Sequence, residues 1–229
     1  MEKLIEKLER ETEPLISHVD TDEFIKASEV AFDCIFDGTS KFYPWKKPKN
    51  IPNNFKIGVI IGSSGSGKST MLKNFGIEEK PDWSSNKSVI SHFNNPEDGI
   101  NKLSSVGFNS IPSWYKPYHV LSNGEKFRAD LARKLKSNVV IDEYTSVVDR
   151  TVARAASMAL SRYVKNNDIE NVVISTCHRD IVEWLEPDWV LDTDTGELLH
   201  GFFLSDQKSL LRYIAQQMIV GECLKTITI

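Results

Sequence analysis

Cysteine is scarce in these 229 residues: Cys34, Cys177 and Cys223 lie far apart, no two form a CxxC pair, and their number is odd. That excludes a disulfide framework and a structural zinc site and fits a reducing, cytoplasmic compartment. Long apolar runs are missing as well. The longest, such as Ile57-Gly58-Val59-Ile60-Ile61, are of strand length, far below the roughly 20 residues of a membrane span, so no membrane insertion is expected. The opening Met1-Glu2-Lys3-Leu4 alternates in charge and forms no apolar signal region, so secretion is not indicated. Neither sign of charge dominates. The 28 Lys and Arg oppose 32 Asp and Glu for a net charge of -4, which gives no overall electrostatic footprint of a nucleic-acid binder. What is present, 40% hydrophobic and 26% charged residues, suits one globular domain with a sizeable core over residues 1–229.

Hydrophobic spacing sets out the elements. Leu4, Ile5 and Leu8 predict a helix over 2–13, closed by Pro14. Val30 to Phe36 predicts a short strand with Asp37-Gly38 as its turn, followed by a Pro/Lys-rich loop over 42–52 that carries Tyr43 and Trp45. A buried strand at Ile57–Ile61 then leads through a glycine loop into a helix that stops near Gly76. After a polar stretch, a helix from Ser122 to about Lys136 precedes the strand 139–141. A helix over about 150–164 then precedes the strand 172–174. Strand–helix alternation of this kind predicts an α/β fold, a mostly parallel sheet covered by helices. The tail predicts a hairpin turning at Asp194-Thr195-Gly196 and a helix over about 206–219.

Three segments carry chemistry. Gly62-Ser63-Ser64-Gly65-Ser66-Gly67-Lys68-Ser69 matches G-x-x-x-x-G-K-[ST] in full, after a buried strand and before a helix. Glycines let backbone N–H groups curl around phosphate oxygens, and the helix N-terminus adds its positive dipole. Lys68 would reach the β- and γ-phosphates and Ser69 would sit on Mg²⁺, with Thr70 completing the nucleotide-binding set. Val139-Val140-Ile141-Asp142-Glu143 is an apolar strand ending in two carboxylates. Alone that is an ordinary solvated strand end. Downstream of a phosphate loop, Asp142 can hold Mg²⁺ and Glu143 can polarise the attacking water. Leu121-Ser122-Asn123-Gly124-Glu125 opens a helix. A capping box accounts for Ser122 and Glu125 but not for Gly124.

The order and spacing of these segments resemble the ATP-binding-cassette (ABC) ATPases, whose Leu-Ser-Gly-Gly-Gln-like signature precedes the acidic strand by one helix. Ser146-Val147-Val148-Asp149 resembles the family's D-loop, and His178 in Ser175-Thr176-Cys177-His178 its switch histidine. The resemblance covers about 57–200. It implies a P-loop NTPase fold of ABC type, with an N-terminal antiparallel β piece and a short helical insertion at about 77–136. It also implies ATP hydrolysis with Mg²⁺, with Lys68, Glu143 and His178 catalytic and with Ser69 and Asp142 on the metal. The partners it implies are an ATP-dependent homodimer in which Ser122, Asn123, Gly124 and Glu125 of one copy cover the nucleotide held by the other. The runs 114–125 and 184–190 further resemble stand-alone soluble ABC ATPases of phages and bacteria.

The sequence departs from that pattern in places. No glutamine occurs between Gly62 and Leu121, so Ser91 or His92 would have to stand in for the family's Gln loop. Tyr43 and Trp45 are placed to stack on a base or, equally, to pack. Lys126, Arg128, Arg133, Lys134 and Lys136 follow the signature as either a solvated face or a nucleic-acid contact. Three functions stay open: a soluble ATPase coupled to nucleic acid or a nucleic-acid-processing protein, the ATP-binding subunit of a transporter, and a nucleotide-gated interaction module with little turnover.

Overall fold

The structure, a computed structural model, describes residues 5–200. In chain order it runs β1 (Ile5–Lys7), β2 (Leu15–His18), α1 (Glu23–Phe32), β3 (Thr39–Phe42), β4 (Ile57–Ile61) and α2 (Lys68–Leu72). A helical stretch follows with α3 (Pro96–Ser105), α4 (Ile111–Trp114) and α5 (Asn123–Arg133). The chain then forms β5 (Val139–Ile141), α6 (Arg150–Asn166), β6 (Val172–Thr176), α7 (Ile181–Leu185), β7 (Trp189–Asp192) and β8 (Glu197–His200).

Six strands form one sheet in the order β1-β8-β7-β4-β6-β5. β5, β6, β4 and β7 are parallel to their neighbours, and β8 and β1 continue the sheet antiparallel. β2 and β3 pair antiparallel apart from it. This is the mostly parallel α/β sheet that the alternation predicts, with the N-terminal antiparallel piece that the family resemblance implies. β4 and β6 are buried at every position, because helices cover both faces of the sheet. Successive side chains point to opposite faces. Ile57, Val59, Ile61 and Ile174 therefore meet Leu131 of α5 and Leu160 of α6, while Ile60, Val173 and Leu191 meet Met71 and Leu72 of α2. Gly58 leaves room for the Trp189 indole, which any Cβ there would strike. The parallel register pairs Ile61 with Thr176 and Ile141 with Ile174. The loops after β4, β5 and β6 therefore leave the same edge of the sheet, where an open α/β sheet forms its crevice.

Two N-terminal expectations fail. The predicted helix over 2–13 contains β1 instead, because the exposed edge of β8 offers Ile5–Lys7 a full ladder that three apolar residues at helical spacing cannot outweigh. The predicted strand Val30–Phe36 is the end of α1 and its exit. The Asp22 side chain accepts from the N–H groups of Phe24 and Ile25, and Asp33 ends the helix in the left-handed region at φ 49°. That N-cap sets the helix frame well before the apolar residues that suggested a strand. The strands at 57–61, 139–141 and 172–174 and the hairpin at 194–196 stand as expected, β6 running on to Thr176. α2 is shorter than expected, ending at Leu72, and α5 ends at Arg133. Residues 77–136 contain α3, α4, α5 and short turns but no named strand. The helix predicted over 206–219 lies outside the described residues. Among the described residues no helix is long and apolar enough to cross a membrane.

Candidate active site

The loop after β4 is built around Gly67, the N-cap of α2, at φ 98°, a conformation that favours glycine. Its missing Cβ also leaves space for the ring of Phe42 at the end of β3, which a Cβ would approach to 2.5 Å. The Lys68 ammonium is folded into the loop and donates to the Ser63 carbonyl at 2.6 Å. The other end of the loop is anchored from outside. Asp194 accepts from the Ser63 N–H at 3.0 Å and from its hydroxyl at 2.7 Å. Arg179 in turn bridges Asp194, at 2.8 Å, and the fully buried Asp192, at 2.5 Å. Partial burial opposes ionisation of Asp194, yet the Ser63 hydrogen bonds and the Arg179 guanidinium hold its carboxyl below the ordinary value.

After β5 the backbone turns sharply. Glu143 has φ 49° and Thr145 φ 65°, left-handed values that are uncommon outside glycine and rare for a β-branched residue. Such strain is held only where its surroundings fix it. Here Asp142 Oδ1 accepts from the Glu143 N–H at 3.0 Å and from the Ser175 hydroxyl of β6, and the Ser175 carbonyl accepts from the Tyr144 N–H at 2.9 Å. The Asp142 N–H donates to Glu78 Oε1 at 3.2 Å, and Glu78 also pairs with Lys134 at 2.6 Å. The Thr145 hydroxyl lies 3.0 Å from Nδ1 of His178. Burial, and after it the charge of Arg150, push the His178 imidazole below its ordinary pKa, with Asp180 opposing.

These loops enclose a cleft of about 390 Å³, lined by Phe42, Ser64, Gly65, Gly67, Lys68, Ser69, Thr70, Asp142, Glu143, Ser146 and Cys177. The loop after β4 and both carboxylates thus come together in one cleft. Gly62, Ser63 and Ser66 form the back of the same loop, with Ser66 Oγ 2.6 Å from the Thr193 hydroxyl. Ser122, Asn123, Gly124 and Glu125 do not line this cleft. Ser122 closes a full capping box with Glu125, whose carboxyl is held down to about 2 by hydrogen bonds from Ser113 and then from Ser122. The Cα of Gly124 faces open space. Asp149 caps α6, accepting from the N–H groups of Thr151 and Val152, and Val147 beside it is exposed.

Other sequence candidates serve the framework. His92 accepts from the Ser84 N–H at 2.9 Å and meets the Ser88 carbonyl at 2.8 Å, and Ser91 bonds Ser88; neither lines the cleft. Trp45 covers Gly196, donates to the Thr193 carbonyl at 2.8 Å and carries Arg10 over its ring, so it packs. Tyr43 is likewise absent from the cleft, and the aromatic residue that does line it is Phe42. The basic residues after the signature are engaged within the chain. Lys134 and Lys136 pair with Glu78 and Glu79, Arg133 donates to the Asp82 carbonyl and lies over Trp83, and Lys126 and Arg128 lie over Tyr118 and Phe108. Asp194, Arg179, Ser175, Glu78 and Phe42 are the site's unforeseen residues. Only Phe42, an aromatic next to two aromatics already considered, carried a signal in the sequence.

Compared by sequence, the chain matches no protein-family model and no curated protein. Compared by structure, it is similar to the dimeric ATP-binding cassette MJ0796 in a post-hydrolysis state bound to ADP and Pi, with a TM-score of 0.52 at 14% identity. It is similar also to dimeric MJ0796 described as a bacterial ABC transporter cassette, with a TM-score of 0.52 at 15% identity. In both cases the match covers 82% of this chain and 93% of the other. The fold is that of an ATP-binding cassette. Within this cassette fold the cleft offers two hard oxygen donors suited to Mg²⁺, the Ser69 hydroxyl and the Asp142 carboxylate. Among the described residues no group of three or more His, Cys, Asp and Glu forms a closed metal cage. A Mg²⁺ ion that keeps several waters and binds substrate phosphate needs no such cage, so the residues fit it.

Proposed function

We propose that this chain binds ATP and hydrolyses it to ADP and phosphate, in a site completed by the signature of a second copy. The observation that carries the reading is the single cleft that holds Lys68, Ser69, Asp142 and Glu143 while leaving Ser122 and Gly124 outside it. The loop amides and the N-terminus of α2 bind the β- and γ-phosphates, and Lys68 leaves the Ser63 carbonyl to reach them. Ser69 and Asp142 would hold Mg²⁺, which would supply positive charge beside the phosphate oxygens. Glu143 accepts the proton of the attacking water. His178, whose Nδ1 lies 3.0 Å from the Thr145 hydroxyl next to the cleft-lining Cys177, would offer a donor toward the γ-phosphate. In the second copy, the Ser122 hydroxyl and the first amides of α5 form an anion site, and two nucleotides join two identical faces.

Light scattering with ATP and Mg²⁺ tests the assembly. A hydrolysis-arrested Glu143→Gln protein should run as a dimer with nucleotide and as a monomer without it. Adding Ser122→Arg should abolish the dimer and leave nucleotide binding intact. A dimer that persists with Ser122→Arg, or ATP hydrolysis by a strict monomer at a concentration-independent specific rate, would overturn this reading.

Glu78 accepts from the Asp142 backbone N–H, and we assign it the part of positioning that carboxylate. Glu78→Ala should raise the Mg²⁺ concentration needed for half-maximal ATPase activity by about tenfold, the usual loss for a residue that orients a metal ligand. Glu78→Gln, which keeps the acceptor, should stay near wild type.

The likeness to a transporter cassette favours a second reading, in which the same hydrolysis serves a separate membrane protein. Nucleic-acid coupling is the third, and the pairing of Lys134 and Lys136 with Glu78 and Glu79 gives it no support. ATPase rates with and without duplex DNA, single-stranded DNA and RNA would separate it from the others, since phosphate contacts make any stimulation strongly salt-dependent.

A further inference from the structure

The segment that joins β2 to β3 is out of proportion to its role as a connection. It contains α1, none of whose residues is buried. Phe24, Val30, Phe32 and Ile35 are 76%, 87%, 80% and 93% exposed, although single domains rarely leave large apolar side chains clustered in water. Between α1 and the chain that leaves it lies an apolar groove of about 490 Å³, walled by Val19, Ile25, Phe32 and Phe36 with Glu29 at its edge. Glu29 Oε1 accepts from the Phe36 N–H at 2.7 Å, which holds the groove's two walls together. The groove is built, not merely left open.

The segment that forms it is acidic. Over residues 15–42 the carboxylates are Asp20, Asp22, Glu23, Glu29, Asp33 and Asp37, against Lys26 and Lys41 only. Lys41 is already paired with Asp37 at 3.3 Å. An acidic segment with Glu29 at the groove's edge repels phosphate, which disfavours nucleic acid and anionic lipid surfaces. It complements a helix that carries apolar side chains on one face and Lys or Arg beside them, the helix-in-groove mode of recognition. We propose that the α1 groove docks a basic amphipathic helix of a partner protein. The cleft of the ATPase takes no part in this binding, so it is measurable without nucleotide.

The test is fluorescence anisotropy of a labelled amphipathic helical peptide, leucines on one face and lysines on the other, titrated with the intact chain. Saturable binding is expected that weakens as salt is raised, because the segment's charges are solvent-exposed. A peptide with glutamate in place of lysine should not bind. Phe32→Asp should weaken binding at least tenfold, the loss typical of an anchoring side chain, with the circular-dichroism melt unchanged because Phe32 is exposed. Failure of the lysine peptide to bind, equal binding of the glutamate peptide, or equal binding by Phe32→Asp would each overturn the proposal. So would nucleotide-free self-association that Phe32→Asp abolishes, which would give the groove to a second copy. Phe32-dependent binding to phosphatidylcholine vesicles, which would give it to a membrane, would overturn it as well.

Discussion

Glu143→Gln is expected to slow ATP turnover by about two to four orders of magnitude, the range lost when a positioned general base is removed, while leaving ATP affinity nearly unchanged. The site's geometry is why the two effects should separate. Glu143 sits at φ 49° because the Asp142 carboxylate and Ser175 hold its N–H, and glutamine has the same backbone and nearly the same bulk. The turn, Asp142 and the phosphate loop therefore stay in place, and only the acceptor for the water's proton is lost. Lys68→Ala should do the reverse. Its ammonium has a single partner to leave, the Ser63 carbonyl, and without it the β- and γ-phosphates lose their charged contact. Equilibrium binding of a fluorescent ATP analogue and single-turnover hydrolysis, measured on both variants, check this. Glu143→Gln turning over at the wild-type rate would remove Glu143 as the base. The pH profile gives an independent check. The His178 imidazole is held below its ordinary value, so its protonation should lower the wild-type rate only below the ordinary histidine range near 6.5.

The parts of the fold legible in the sequence were those where one period dominates over a sufficient length. Ile57–Ile61, Val139–Ile141 and Val172–Ile174 are continuous apolar runs bounded by turn residues, and burial on both faces is what such runs require. The errors fell where a short stretch satisfies two periods. Leu4, Ile5 and Leu8 fit a helix. What decides the matter is the antiparallel edge of β8 almost 200 residues away, a pairing invisible to local reading. Val30 to Phe36 is apolar enough for a strand, but the Asp22 cap fixes α1 earlier in the chain, and its apolar residues stay in solvent, so no core periodicity marks them.

The site divides along similar lines. That Gly62–Ser69, Asp142 and Glu143 share one cleft could be expected from the sequence, because their loops follow strands of one parallel sheet and so leave it at the same edge. The supporting residues could not. Ser175 orients Asp142 from the neighbouring strand, Glu78 reaches the Asp142 amide from 64 positions away, and Asp194 holds Ser63 from 131. A serine, a glutamate or an aspartate has no distinctive spacing in the chain, and its role exists only once the chain is folded. The basic stretch after the signature shows the same limit. Its basic residues read as a solvated face or a nucleic-acid contact, and two of those just beyond α5, Lys134 and Lys136, instead have counter-ions, Glu78 and Glu79, at the start of the same insertion.

Arg179→Ala should cost about 3–5 kcal/mol of folding stability, the loss expected when one member of a buried ion pair is removed. The partner left behind is Asp192, which is 0% exposed and sits at the end of β7 against the centre of the sheet. Its carboxylate also accepts from the Asp194 N–H at 2.9 Å, but that bond does not neutralise its charge. At roughly 2–4 °C per kcal/mol for a chain of this size, the melting temperature should fall by about 10 °C. Adding Asp192→Asn should recover much of the loss, because a neutral amide can still accept from the Asp194 N–H while no buried charge remains. The pH dependence has a definite sign. The folded Asp194 carboxyl is held below its ordinary 3.8, so its contribution is present in full above that value and lost as pH falls through the folded value. The stability gap between wild type and Arg179→Ala should therefore narrow in that acidic window. A second readout ties the network to the cleft. Without Arg179, Asp194 loses its cation and the Ser63 end of the phosphate loop its fixed anchor, so ATP should bind more weakly even at temperatures where the variant is folded. Scanning calorimetry of the single and double variants, with ATP titrations well below the melt, checks both parts. An Arg179→Ala protein that melts with wild type would show that the Asp192 charge is satisfied elsewhere.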